Sequence, residues 1–200
     1  MENIDALVEA VVARVFIPLE ASGRHVHVTK EQAMTLFGHG LTPKRPLSQP
    51  GQFLANERLT VIGPKGEFQN VAVLGPERKE AQVEISLTDG RALGITPPVR
   101  LSGDVKDSPG AVLEGPAGRV SISQGVIAAQ RHIHMTPADA AARGLQDKQV
   151  VKLRCHTQRP GVLEETVVRV HKDFATYAHL DYDEANALGF SQGDLGSVIS

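Results

Sequence analysis

The hexapeptide Arg24-His25-Val26-His27-Val28-Thr29 returns later in the chain as Arg131-His132-Ile133-His134-Met135-Thr136, with four of six positions identical and the other two apolar in both. Each copy runs into a helix start. Thr29-Lys30-Glu31-Gln32 and Thr136-Pro137-Ala138-Asp139 both offer a hydroxyl cap followed three residues later by a polar side chain. On a strand, residues two apart face the same side, so the imidazoles of each pair share a face, separated by roughly 6–7 Å of backbone rise. Two neutral imidazoles converging in this way can chelate a transition metal once further ligands complete the set.

A second echo supplies such a ligand. Glu84 lies ten residues before Gly94 of Ala92-Leu93-Gly94, and His179 lies ten residues before Gly189 of Ala187-Leu188-Gly189. The simplest reading is two metal sites, His25 with His27 and Glu84, and His132 with His134 and His179. Three protein ligands leave a position open for water or substrate, the arrangement of a catalytic metal. The halves also differ. Gly75-Pro76-Glu77-Arg78 precedes Glu84, whereas the matching place before His179 is Asp173. An arginine held by a Gly-Pro turn near a metal suits a phosphate or carboxylate through its planar fork. His39, His156 and His171 have no repeat partners and read as structural or surface residues, and Cys155 as a small core residue.

Composition sets the frame for these motifs. Among 200 residues, 41% are hydrophobic and 22% charged, which fits a folded chain and neither a disordered nor a membrane-spanning one. A formal net charge of -2 excludes a generally basic nucleic-acid binder. One cysteine excludes internal disulfides and a thiolate-rich zinc finger. Ile4 to Phe16 is too short, and too interrupted by Asp5, Glu9 and Arg14, to cross a membrane. Ile4, Leu7, Val11 and Val15 instead mark an amphipathic helix, either docked on the protein's own core or offered to a partner. Beyond it, short Val- and Ile-rich runs alternate with Gly and Pro: Leu59–Ile62, Asn70–Leu74, Gln82–Leu87, Val120–Ser123, Val126–Ala128, Val150–Leu153 and Thr166–Val170. Asp183 to Leu188, stopped by Gly189, reads as a further short helix. The turn at Asp107-Ser108-Pro109-Gly110 suggests a midpoint between two similar, mainly β halves.

With these motifs, the chain resembles the phosphate propanoyltransferases associated with bacterial microcompartments, the propanediol-utilisation type of phosphotransacylase. The matching stretches run from about Ile17 to Leu188. They include both Arg-His-x-His pairs, Ser48-Gln49-Pro50-Gly51-Gln52-Phe53, Gly63-Pro64-Lys65-Gly66, Leu74-Gly75-Pro76 with Arg78, Gln82-Val83-Glu84-Ile85-Ser86, Ser102-Gly103-Asp104 and Asp183-Glu184-Ala185-Asn186-Ala187. The resemblance implies a mainly β fold of two small interleaved β-barrels capped by short α-helices, with an N-terminal amphipathic helix. Residues 1–16 would form that helix, 17–23 with 130–200 one barrel, and 24–129 the other, in place of the simple division into halves.

The resemblance further implies reversible transfer of a propanoyl group between coenzyme A and inorganic phosphate, by a two-zinc site and a ternary complex. Two zinc ions per subunit would be held by His25, His27 and Glu84 and by His132, His134 and His179. Arg78 would bind the attacking phosphate, with Ser102 beside it, and Ser22 and Asn186 would line the coenzyme A pocket. Propanoyl-CoA, coenzyme A and phosphate are the implied small-molecule partners, with a homodimer and no nucleic acid or membrane. Residues 1–16 resemble an encapsulation peptide that binds shell proteins, placing the protein in a microcompartment lumen, with the cytoplasm as the alternative. Ser22-Gly23-Arg24 and Arg91 depart from the family's usual residues, which bears on the shape of the coenzyme A pocket and on acyl preference. An acetyl-preferring transacylase and a metal-dependent acyl-CoA thioesterase stand as alternatives. A cupin fits less well, since Glu31 falls in a predicted helix turn. A structural-zinc adaptor fits poorly with only three ligands per half.

Overall fold

The computed structural model describes residues 2–199, with side chains from residue 4 onward except those of 9, 10 and 13. In chain order, α1 (Glu2–Val15) leads into β1 (Ile17–Ser22), β2 (His25–His27), α2 (Lys30–Phe37), β3 (Pro43–Pro46), β4 (Phe53–Ile62) and β5 (Glu67–Gly75). There follow β6 (Gln82–Glu84), α3 (Leu87–Leu93), β7 (Val99–Arg100), β8 (Ala111–Glu114), β9 (Arg119–Ile122) and β10 (Val126–Ala129). The chain ends with β11 (His132–Met135), α4 (Pro137–Arg143), β12 (Val150–His156), β13 (Gly161–Val170), β14 (Tyr177–Asp181), α5 (Tyr182–Leu188) and β15 (Leu195–Ile199). It is mainly β, as the strand-and-turn rhythm of the sequence implies, with short helices between strands. Two compact units form, one from the residues up to Ser22 together with those from Gln130, the other from Gly23–Ala129. The turn at Asp107–Gly110 therefore falls inside the second unit and divides nothing.

The first unit is a closed barrel in the order β1-β14-β11-β13-β12-β15. Strand β1 runs parallel to β14 and closes the barrel antiparallel to β15. The period of two is visible along β12, where Val151, Leu153 and Cys155 are buried and their neighbours exposed. With Ile17, Leu19, Ile133, Met135, Val168 and Leu180 they fill the barrel.

The second unit is a nine-stranded sheet, curled as a half-barrel, in the order β7-β10-β6-β2-β5-β4-β8-β9 with β3 added to β4. Val26, Leu59, Val61, Val73, Val83 and Leu113 pack beneath α2 and α3, which add Leu36 and Leu93. The run Gln82–Leu87 differs from its reading as one strand. Strand β6 stops at Glu84, and Ser86 caps α3, its hydroxyl accepting the Asp89 N–H at 3.1 Å while the Asp89 carboxylate accepts the Ser86 N–H. A capping box satisfies two helix-end donors at once, and here it outweighs the β preference of the Val-Glu-Ile run. Thr29 and Thr136 cap α2 and α4 where their spacing predicts.

Candidate active site

In the second unit, β2 lies between β5 and β6, and register sets His25 directly opposite Glu84. One ligand atom from each of His25, His27 and Glu84 falls within 4.8 Å of the others. Nε2 of His25 is 3.5 Å, and Nε2 of His27 4.0 Å, from Oε1 of Glu84. The opposite ring nitrogens are tethered: Nδ1 of His25 donates to the Gly23 carbonyl at 2.8 Å and Nδ1 of His27 to that of Leu74 at 3.1 Å. Because a carbonyl only accepts, these bonds fix the tautomer and turn both Nε2 atoms toward Glu84. Tetrahedral zinc bonds of about 2.0–2.3 Å place ligand atoms roughly 3.3–3.8 Å apart. The His25–Glu84 separation falls in that range and the His27–Glu84 one slightly beyond it, so these residues could hold such an ion.

The charges fit as well. Burial, then the charges of His25 and Arg78, push His27 down to about 2, so it stays neutral. Burial opposes ionisation of Glu84, but the charge and hydrogen bond of His25, with His27 and Arg78, hold its carboxyl well below the usual carboxylate range. Burial likewise opposes a charge on His25, yet Glu84 and the Gly23 carbonyl raise it above the ordinary histidine value. Two imidazoles and a carboxylate are a set that takes up a divalent cation with loss of a proton.

The first unit repeats the construction. His132 stands directly opposite His179 across β11 and β14, as His25 does opposite Glu84. His132, His134 and His179 bring ligand nitrogens within the same 4.8 Å. Nδ1 of His132 donates to the Gln130 carbonyl at 2.8 Å, the same two-residue step back as from His25 to Gly23. Nδ1 of His179 lies 3.4 Å from Oε2 of Glu20, its register partner on β1. The Phe174 ring covers His134, with centroids 4.1 Å apart.

Arg78 stands beside the first of these clusters. Its backbone N–H donates to Val28 at 2.9 Å and its Nη1 to Ser102 Oγ at 3.2 Å, while Ser102 Oγ donates to Glu84 Oε1 at 3.0 Å. The turn that delivers it passes under Phe53, whose ring occupies the space a Cβ on Gly75 would need. Arg78, Ser102 and Glu84 are thus one connected group. The other two sequence-derived positions belong to the first unit: half-buried Ser22 ends β1 opposite Asp181, and Asn186 is exposed on α5.

Four contributors escape the sequence reading. Gln82 bonds to both Ser102 and Glu84. Glu20 meets His179. Asp89 and Glu184 receive Arg24 and Arg131, the arginines that open the repeated hexapeptides. Both acids sit five residues after the third ligand, Glu84 or His179, a regularity present in the sequence that would have exposed the pairing.

A family model described as phosphate propanoyltransferase matches residues 18–191. A protein of Listeria monocytogenes named phosphate propanoyltransferase is 49% identical over 204 residues, covering 99% of this chain and 96% of its own. Proteins of the same name from Clostridioides difficile and Thermotoga maritima are 48% and 50% identical, covering 100% and 89% of this chain and 99% and 86% of theirs. With matches of this depth along its length, the chain belongs to the phosphate propanoyltransferase family of acyltransferases.

Proposed function

We propose that the protein moves a propanoyl group reversibly between coenzyme A and inorganic phosphate, with zinc held by His25, His27 and Glu84 and a second zinc held by His132, His134 and His179. The observation that supports this most directly is the coupling of a three-ligand cluster to a phosphate-binding group: Arg78 is joined through Ser102 to the ligand Glu84. Bound in such clusters, zinc supplies a Lewis acid that stabilises the negative charge gathering on thioester sulfur and carbonyl oxygen.

The chain's own residues account for the rest. The Arg78 guanidinium presents parallel N–H donors that match two phosphate oxygens and aim a third at the thioester carbon. The new C–O bond forms as the C–S bond breaks, and the proton of hydrogen phosphate leaves with the thiolate as coenzyme A. Ser102 keeps Arg78 from swinging into solvent, and Glu84 holds Ser102. Neutral His27 presents a lone pair, and Glu84 balances part of the cationic charge that Arg78 brings. The burial of Cys155, the one cysteine, in the barrel core speaks against a cysteinyl acyl-enzyme and supports a ternary complex. Ser22 and Asn186 are assigned to the coenzyme A pocket.

The deciding experiment measures coenzyme A release from propanoyl-CoA with and without phosphate, before and after metal stripping, and tests the product for acyl phosphate. Phosphate- and metal-dependent release with acyl phosphate formed supports the reading. Release without phosphate makes the protein a thioesterase.

Placement in a microcompartment lumen as a homodimer belongs to the same proposal. Ile4, Leu7, Val8, Val11, Val12 and Val15 are exposed on α1, an apolar stripe suited to shell proteins. Diffuse fluorescence of a fusion carrying residues 1–20, in cells that assemble shells, would count against it. No helix among the described residues is long and apolar enough to cross a membrane.

A further inference from the structure

Gln82 opens β6, two residues before Glu84, and only 2% of its surface is exposed. Its side-chain carbonyl accepts the Gly103 N–H at 2.7 Å. Its Nε2 donates to Ser102 Oγ at 2.8 Å and to Glu84 Oε1. A primary amide has two N–H donors, and both are used. Ser102 Oγ receives one bond from Gln82 and one from Arg78, and its own hydrogen goes to Glu84.

Every polarity in this network is forced. A carboxylate accepts and a guanidinium donates, so Ser102 must accept from Arg78 and donate to Glu84. The Gln82 amide cannot be reversed, because its oxygen would then face the Glu84 carboxylate and its NH2 the Gly103 N–H. The same amide ties the Ser102-Gly103 loop to the ligand strand. Leucine would fill the same space without these bonds, so volume does not explain an amide here.

We infer that Gln82 is a positioning residue for phosphate: by fixing Ser102 as an acceptor next to Glu84, it sets the aim of the Arg78 guanidinium. This rests on Arg78 being the phosphate-binding group of the proposed function. Gln82 touches no substrate and acts through Ser102.

The test is a double-mutant cycle with Gln82→Leu, Ser102→Ala and both together, read by calorimetric titration of inorganic phosphate and by separate KM values for phosphate and propanoyl-CoA. Gln82→Leu removes all three bonds of the amide and with them the Arg78–Ser102 contact. Loss of that one hydrogen bond to a charged group weakens phosphate binding about 10- to 100-fold, while KM for propanoyl-CoA stays within about twofold. Because both substitutions break one linkage, the double variant is no worse than the poorer single one. Losses that multiply, or phosphate binding that is unchanged in folded Gln82→Leu, overturn the inference. Should Gln82→Leu fail to fold, Gln82→Asn, too short to reach Ser102 and Gly103 together, carries the same expectations. Should the wild type neither bind phosphate nor form acyl phosphate, the acyl-transfer reading fails. Crystal structures then decide the positioning role separately: the Arg78–Ser102 contact is lost in Gln82→Leu if the inference holds, and its persistence overturns it.

Discussion

Arg24 donates from Nε and Nη2 to the two carboxylate oxygens of Asp89, at 3.0 and 2.7 Å. Arg131 reaches Glu184 in the other unit, and both acids occupy the third helical position after an N-cap. In each case the arginine next to the first ligand histidine is tied to the helix that follows the third ligand. The two ligand-bearing strands are thereby held together at one end. The Phe68 ring, 4.0 Å from the Arg24 guanidinium, leaves the fork little room to turn.

Replacing Arg24 by Ala leaves Asp89 buried without this partner. A loss of about 1–3 kcal/mol is expected, read from urea unfolding, together with weaker metal retention by the cluster of His25, His27 and Glu84. Lysine cannot reproduce the two-pronged bond, so Arg24→Lys recovers less than half of the loss. A lysine variant equal to wild type would mean that charge alone matters.

The two candidate metal clusters were legible because their geometry is local and repeated. A strand with two histidines and a helix stopped by glycine are short-range patterns, and matching offsets in the two halves pointed to the third member of each cluster. Their supports were not. Arg78 meets Ser102 only because a loop 24 residues later in the chain returns to it. His27 is oriented by the carbonyl of Leu74, and a carbonyl belongs to any residue type. Helix α3 begins where the Gln82–Leu87 run reads as strand, and it carries Gly90, a poor helix former. The glycine is there because a Cβ would lie 2.8 Å from the Ile95 carbonyl oxygen and 2.6 Å from Pro97. The pairing of β1 with β14, which brings Glu20 to His179, joins opposite ends of the sequence, where no periodicity reaches.

Cys155 tests the absence of a covalent intermediate. Burial, and then the charge of Glu184, push its thiol up to about 11. At pH 8 the thiolate fraction is then about 0.1%, and the side chain is fully buried. A thiol-reactive disulfide reagent is expected to leave the native protein unmodified and to titrate one thiol after denaturation. Cys155→Ala costs about 1–2 kcal/mol of stability and leaves kcat unchanged. A large loss of kcat with the fold intact would sink the ternary-complex mechanism.

Glu57 contributes an acid-sensitive part of the stability. Burial alone would raise its carboxyl, but Thr42 donates from Oγ1 at 2.6 Å and from its backbone N–H at 3.0 Å, and the net result is a lowered value. A group depressed in the folded state stabilises fully above its unfolded value, about 4.3, and loses that contribution as pH falls through the folded one. Glu57→Gln is therefore expected to be less stable than wild type at pH 7, with the difference shrinking below about pH 4.3. Urea midpoints for the two proteins from pH 3 to 7 measure it, and parallel curves would show that Glu57 does not carry this dependence.

Glu20 tests whether the His132, His134 and His179 cluster is built as a metal site. Oε2 of Glu20 stands 3.4 Å from Nδ1 of His179 across the β1–β14 register. A carboxylate at one ring nitrogen sets the tautomer, steadies the ring and makes the other nitrogen a better donor to a cation. Glutamine keeps the size but loses the charge, so Glu20→Gln is expected to lower zinc affinity at this cluster by about tenfold or more. The cluster of His25, His27 and Glu84 belongs to the other unit, so its affinity is expected to stay within about twofold of wild type. Chelator competition followed by metal analysis separates the two, provided that His179→Ala and Glu84→Gln are run alongside to show which ion each cluster loses. If Glu20→Gln releases both ions equally, the carboxylate supports the fold at large. If it releases neither, His179 is oriented by its strand alone and the carboxylate is incidental.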